Sequence, residues 1–201
     1  MHRSFQVSIS TVALVLASCA SSPPSLVTLP APPTSTTSRD PHGSDPMTTV
    51  RLRRVQLPDY LDGLPVVTGR EGQLLVVARG TEWAERPSQG VARVLRDALA
   101  QRLGSSRVLI AGDGRRADAD LSVEFLALGP SRGALLLDAR WSFACRGTAL
   151  SHGGRTAVQV PLRATTPETV ASATSEALSQ LADAVVAEVG CDVAQDAHAS
   201  H

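Results

Sequence analysis

The side chains able to do chemistry in this chain are few, and they are badly spaced for it. Ser151 and His152 adjoin Gly153 and Gly154, but neighbours on a strand or turn point apart and cannot form a nucleophile–base pair with each other. No Gly-x-Ser-x-Gly elbow is present, and His152 reads as a loop residue. Gly112-Asp113-Gly114 lacks the third glycine and the following helix of a dinucleotide-binding loop, so it reads as a plain turn. Asp118 and Asp120 sit between alanines and read as solubilising residues at a strand edge, not as an acid–base pair. His198 and His201 lie at the chain end, and no other histidines have ligand spacing. The expectation is a non-enzyme with no cofactor and no metal.

Cysteine carries the one clear chemical signal. His2 and Arg3 precede an apolar run from Val7 to Leu16, and Leu16-Ala17-Ser18-Cys19 follows. The run is shorter than the ~20 residues needed to span a bilayer as a helix. A basic tip, a short apolar stretch and small residues describe a secretory signal over 1–18. Leu-Ala-Ser-Cys is the lipobox pattern, which predicts cleavage before Cys19 and acylation of its thiol and new N-terminus, palmitate among the acyl chains. Several chains on one residue hold a protein on a membrane, at about 0.8 kcal/mol per buried methylene. Ala20 in place of Asp predicts sorting to the outer membrane by resemblance to enterobacterial signals. The two cysteines left in an oxidising compartment, Cys145 and Cys191, predict one disulfide.

Composition narrows the partners. Formal net charge is zero, so no basic field exists to attract nucleic acid. All nineteen basic residues are Arg. Aromatics make up only 3% of the chain, so Leu, Val and Ala must build the core, with Tyr60, Trp83, Phe125, Trp141 and Phe143 as the large pieces. Removing the signal leaves about 180 residues, enough for one domain.

The periodicities give the elements. Residues 19–48 are rich in Pro, Ser and Thr and read as a tether, with a short edge strand at 25–29. The folded domain spans 49–192, and 193–201 reads as a disordered tail. Val50 and Leu52 alternate with arginines, then the phase slips to Val55 and Leu57, which predicts a β-bulge at Arg53-Arg54. Val66-Val67 and Leu74–Ala78 make a hairpin turning at Gly69–Gly72. A helix runs from Pro87 to Leu103, with Val91, Val94, Leu95, Ala98 and Leu99 on one stripe. Val108-Leu109-Ile110 reads as a buried strand. Leu121, Val123 and Phe125 pair with the alternating run Leu135–Cys145 through a turn at Gly129–Gly133, and Thr156–Leu162 adds a further strand. A second helix runs from Pro167 to about Val189, with Thr166 as N-cap and Gly190 just past its end. The pattern predicts an α+β single domain: one mostly antiparallel sheet with two helices packed on one face.

Two aromatics stand at element edges, Tyr60 in Leu57-Pro58-Asp59-Tyr60-Leu61-Asp62 and Trp83 in Glu82-Trp83-Ala84-Glu85. Each fits either a partner anchor or a cap on the core. Together with the lipobox, Val66-Val67-Thr68-Gly69-Arg70 and Val91-Ala92-Arg93-Val94-Leu95, these stretches resemble the PqiC (YmbA-like) family of ABC-type transport auxiliary lipoproteins. The resemblance implies an outer-membrane-anchored periplasmic partner of an MCE-domain tunnel protein, working with an inner-membrane permease or a PqiA-like protein in phospholipid movement across the envelope. It also implies homo-oligomeric assembly and allows phospholipid as a ligand. The competing expectation is a structural envelope lipoprotein that binds peptidoglycan or an outer-membrane assembly machine. An apolar cavity between helices and sheet would favour lipid handling; a filled core would favour docking.

Overall fold

The structure is a computed structural model that describes residues 23–34, 48–109, 112–147 and 151–189. The signal, Cys19, Ile110, Gly190, Cys191 and the tail lie outside the described residues. Within them are eight strands: β1 (Ser25–Val27), β2 (Val50–Gln56), β3 (Pro65–Glu71), β4 (Leu74–Trp83), β5 (Val108–Leu109), β6 (Ala119–Ser131), β7 (Ala134–Cys145) and β8 (Ser151–Pro161). Two helices accompany them, α1 (Pro87–Leu103) and α2 (Pro167–Ala187). The fold is mixed α+β, and the strands divide into two sheets where one was expected, in the orders β1-β4-β3 and β5-β2-β6-β7-β8. The long pairings β6–β7 and β7–β8 are antiparallel, while β2 runs parallel to both its neighbours.

Local sequence explains most of the registers. The phase slip in β2 is a bulge, with the pairing to β6 shifting between Leu52 and Arg54. The β6–β7 turn is tighter than expected: Arg132 and Gly133 alone make it, both at positive φ (49° and 78°), the geometry that matches strand twist in a two-residue hairpin. Gly129 and Pro130 therefore belong to β6, paired to Leu136 and Leu135. Pro130 is tolerated there because β2 ends opposite Glu124, so no strand on that side needs its missing N–H. The β3–β4 turn likewise falls at Gly72-Gln73, and Gly69 lies within β3. Strand β8 begins earlier than expected, at Ser151. Its two glycines are there because β7 lies too close for a Cβ: the Trp141 backbone carbonyl and Ser142 at Gly153, and the Trp141 indole at Gly154. A Cβ on Gly154 would stand 2.6 Å from the ring, and Trp141 Nε1 donates to Thr156 Oγ1 at 3.0 Å.

Both helices cover one face of the five-stranded sheet. Leu121, Val123, Phe125, Leu135, Leu137 and Phe143 are buried beneath Val94, Leu95 and Leu99 of α1 and Leu178, Leu181 and Val185 of α2. Pro87 occupies the first turn of α1 and Gly104 follows its end. Thr166 caps α2 by accepting the Thr169 N–H at 3.3 Å. A buried Arg102 joins the helices: Nε and Nη2 donate to the Asp183 carboxylate at 2.6 and 2.8 Å, and Nη2 also reaches the Ser179 carbonyl at 2.8 Å. That fork geometry is what a guanidinium supplies and an ammonium does not.

Part of the expected tether is built into the domain. Strand β1 pairs parallel with β4, Ser25 opposite Thr81 and Val27 opposite Trp83. Past it, Leu29 is buried and the chain runs on over the helices. Proline-rich backbone carries carbonyls with few N–H groups to match them, so the helices supply the donors. Arg93 donates to the Leu29 carbonyl at 3.1 Å, Ser175 to Pro30 at 2.9 Å and Gln101 to Pro32 at 3.4 Å. Gly90 leaves room for the strap, since a Cβ there would meet Leu29 Cδ1 at 3.2 Å.

Candidate partner-binding surface

The turn after β2 holds Tyr60 and the residues around it. Asp59–Leu61 form one 3-10 turn, Leu61 packs on the core, and Tyr60 remains 51% exposed. It borders a shallow groove with Val67, Leu75 and Pro130. Trp83 is placed differently. As the last residue of β4 it donates its backbone N–H to the Leu64 carbonyl at 2.7 Å, and its side chain packs half-buried against the core. The structure thus exposes Tyr60 and turns Trp83 inward, because Trp83 pairs with the inward Val27 of β1.

The remaining polar groups of these two motifs hold the junction between β1, the strap and α1. Arg86 at the start of α1 offers no capping side chain. Asp62 supplies the acceptor instead, taking the Ser88 N–H at 2.8 Å, where the helix N-terminus favours a carboxylate. Glu85 pairs with Arg93, the same arginine that holds the Leu29 carbonyl. These motifs position elements; nothing about them positions a reacting atom.

The chemically suggestive residues of the sequence take structural places. His152 lies in β8, not in a loop, so the expected loop position is corrected: cross-strand pairing to Phe143 draws it onto the sheet. Its ring stacks on Phe143 with centroids 5.2 Å apart, and Nε2 lies 3.0 Å from the Glu188 carbonyl at the end of α2. Asp118 accepts from the Thr49 hydroxyl at 2.6 Å and the Thr49 N–H at 2.7 Å, and these bonds hold its carboxyl below the usual range. Asp113 is lowered likewise by the Arg115 guanidinium within its turn. Cys145 is disulfide-bonded; Cys191, its expected partner, lies outside the described residues. Among the described residues no group of three or more His, Cys, Asp or Glu is placed to hold a metal ion.

Two surfaces of the molecule differ in kind. The face of the five-stranded sheet away from the helices is charged. Gln56, Glu124, Arg140 and Arg155 align in one cross-strand row, and Arg155 donates to the Asp138 carboxylate at 2.8 Å, lowering its pKa. The three-stranded sheet with its preceding turn is apolar at the surface. Among the described residues, the exposed large hydrophobics are Leu26, Tyr60, Leu64, Leu74, Val76 and Val77, all on this sheet or just before it. Sequence reading missed the surface because Leu74–Val77 looks like any buried strand.

Between the small sheet and the helices lies a cavity of about 50 Å³, lined by Leu29, Leu57, Trp83, Val91 and Val170 among others. Ligand pockets commonly run to about 300–1,000 Å³.

The family model of the ABC-type transport auxiliary lipoprotein component matches residues 28–186. The chain belongs to that family. The match begins at the strap and ends in α2, so the Tyr60 and Trp83 motifs and every strand but β1 fall inside it. Two solved structures share the fold. A crystal structure of an uncharacterised protein is 18% identical with a TM-score of 0.64, over 83% of this chain and 99% of its own. A protein of Xanthomonas campestris is 16% identical with a TM-score of 0.62, over 82% of this chain and 93% of its own. No curated protein matches in sequence. A transport-auxiliary role goes with the family, and none of the geometry above adds a catalytic constellation to it.

Proposed function

We propose that this chain is a non-enzymatic lipoprotein, anchored through acylated Cys19 on the periplasmic face of the outer membrane, that docks an MCE-domain tunnel protein. The tunnel protein in turn works with an inner-membrane permease or a PqiA-like protein to move phospholipid between membranes. The observation that carries docking over lipid handling is the filled interior. Side chains of both helices and the five-stranded sheet interdigitate, and the cavity of about 50 Å³ is far below what one acyl chain occupies. The lipid fixes the domain at the membrane, and a rigid surface holds the partner.

The test is purification of the full-length, C-terminally tagged protein from its own host after membrane fractionation. The expected result is acylated chain in the outer-membrane fraction, with an MCE-domain protein co-eluting. Acylated protein in that fraction with peptidoglycan or an outer-membrane assembly factor in place of an MCE protein would favour the structural-lipoprotein reading instead.

A further inference from the structure

The exposed apolar side chains cluster on the sheet nearest the expected lipid anchor. Cys19 and Ser25, the first residue of β1, are six residues apart in the sequence. Fully extended, six residues reach about 20 Å, and Pro23-Pro24 keeps the link stiff. A thirty-residue tether would let the domain roam; the strap removes that freedom by fixing the chain from Ser25 through Pro32 onto the domain. Ser25, where the three-stranded sheet begins, is therefore held within about 20 Å of wherever the anchor enters the bilayer.

The outward face of that sheet exposes leucine and valine. Val27 packs on the core, so strand alternation sends Leu26 outward, where it is 65% exposed. Leu75 faces the β6–β7 hairpin, so Leu74 and Val76 point away from the body, Leu74 at 72% exposure. Leu26 pairs near one end of β4, opposite Glu82, and Leu74 begins the other end, so exposed apolar positions stand toward both ends of the sheet, with the Glu82 carboxylate beside Leu26. The opposite, charged sheet face carries Arg140, Arg155, Asp138 and Glu124 and suits water.

We infer that the outward face of the β1-β4-β3 sheet, centred on Leu26, Leu74 and Val76, lies against the phospholipid bilayer and fixes the orientation of the domain on the membrane. The inference rests on acylation of Cys19, which supplies the high local concentration that lets a few side chains engage the interface. With the outward face of the small sheet down, the Tyr60 groove toward the β6–β7 hairpin, the charged sheet face and the helix layer remain open to a partner.

The probe is the full-length acylated protein in vesicles of phosphatidylethanolamine and phosphatidylglycerol, with and without phospholipid brominated on the acyl chain. Leu26→Trp and Leu74→Trp each add one indole at an exposed position, and the emission of Trp83 and Trp141 subtracts out against wild type. Ala157→Trp, on the outward face of β8, is the control. The added emission at 26 and at 74 is expected to fall about twofold in brominated vesicles, with the control unchanged, as an apolar face buried at the acyl boundary requires. Loss at 26 alone would reduce the contact to the neighbourhood of the anchor and overturn the inference. If both positions behave like the control while the protein still floats with vesicles, the face belongs to a protein partner and the inference fails. A wild-type protein that does not float defeats the anchor itself, a separate failure seen before any quenching is measured.

Discussion

The Asp62 carboxylate accepts the Ser88 backbone N–H at 2.8 Å, tying the turn that holds Tyr60 to the first turn of α1. Helix α1 begins Arg86-Pro87 and brings no capping side chain of its own, so an acceptor from 26 residues earlier does the work. Removing an N-cap oxygen costs about 1 kcal/mol. Asp62→Ala is expected to lower Tm by about 2–4 °C, as a loss of that size does in a domain of this length. Asp62→Asn, which keeps an acceptor oxygen, is expected to recover most of the loss. Thermal denaturation followed by circular dichroism distinguishes the two; equal losses would show that the charge, also 3.7 Å from Arg86, and not the capping bond matters.

Asp118 ties Thr49, at the entrance to β2, to the start of β6. Its folded pKa lies below the ordinary carboxylate value because Thr49 hydrogen-bonds the charged form. The unfolded state then binds the proton more readily, so this contribution is fully present above the unfolded value of about 3.9 and is lost as pH falls through the folded pKa. Wild type and Asp118→Asn are expected to differ most in urea stability near neutral pH. The difference should shrink below about pH 3.9, where the wild-type carboxyl also takes up its proton. A difference constant from neutral to strongly acid pH would rule out this linkage.

What was legible in the sequence follows from what local chemistry dictates. Helix α1 begins at Pro87 and ends before Gly104 because both terminators are written in the chain. The β2 bulge was visible because a phase slip has no other remedy in a half-buried strand. The division into two sheets was not visible. It depends on the β3–β4 hairpin pairing with no strand of the larger sheet, with β1 added to it through β4. Gly129-Pro130 and Gly153-Gly154 look like loops, and their strand positions come from neighbours: the end of β2 for the first pair, the backbone carbonyl and indole of Trp141 for the second. The candidate surface was half legible. Tyr60 and Trp83 were found as large aromatics at edges, but their exposure depends on how the turn after β2 presents Tyr60 and which way β4 turns Trp83. Leu26, Leu74 and Val76 offered no signal, since exposed and buried strand leucines are alike in sequence.

The disulfide at Cys145 gives a prediction about the far end of α2. We propose Cys191 as its partner, because α2 ends beside β8, with Glu188 held at His152, and Cys145 ends the neighbouring β7. Closing a loop of this length contributes about 4 kcal/mol in the chain-entropy model. Cys191→Ser is expected to leave Cys145 reactive toward maleimide in unreduced, denatured protein and to lower Tm as much as Cys145→Ser does. A Cys145 that stays blocked in Cys191→Ser would point to another partner.

Tyr60 stands a few residues before the β3–β4 hairpin and Trp83 is its last residue, and they should answer differently to the same truncation. Trp83 packs half-buried beside Leu29, Val91 and Val170, and truncating a buried aromatic costs about 3–5 kcal/mol. Trp83→Ala, with its indole only partly covered, is expected near the lower end of that range. Tyr60 is 51% exposed, and surface substitutions usually change stability by no more than about 0.5 kcal/mol. Exposed aromatics are also the strongest contact anchors at interfaces. Tyr60→Ala is therefore expected to melt like wild type and to lose co-purification with the MCE-domain protein, while Trp83→Ala melts early and its folded fraction still binds. Melting temperature and pull-down yield, read on the same preparations, separate the outcomes. Undiminished binding by Tyr60→Ala would move the docking surface away from the turn after β2, toward the charged face that Arg140 and Arg155 display.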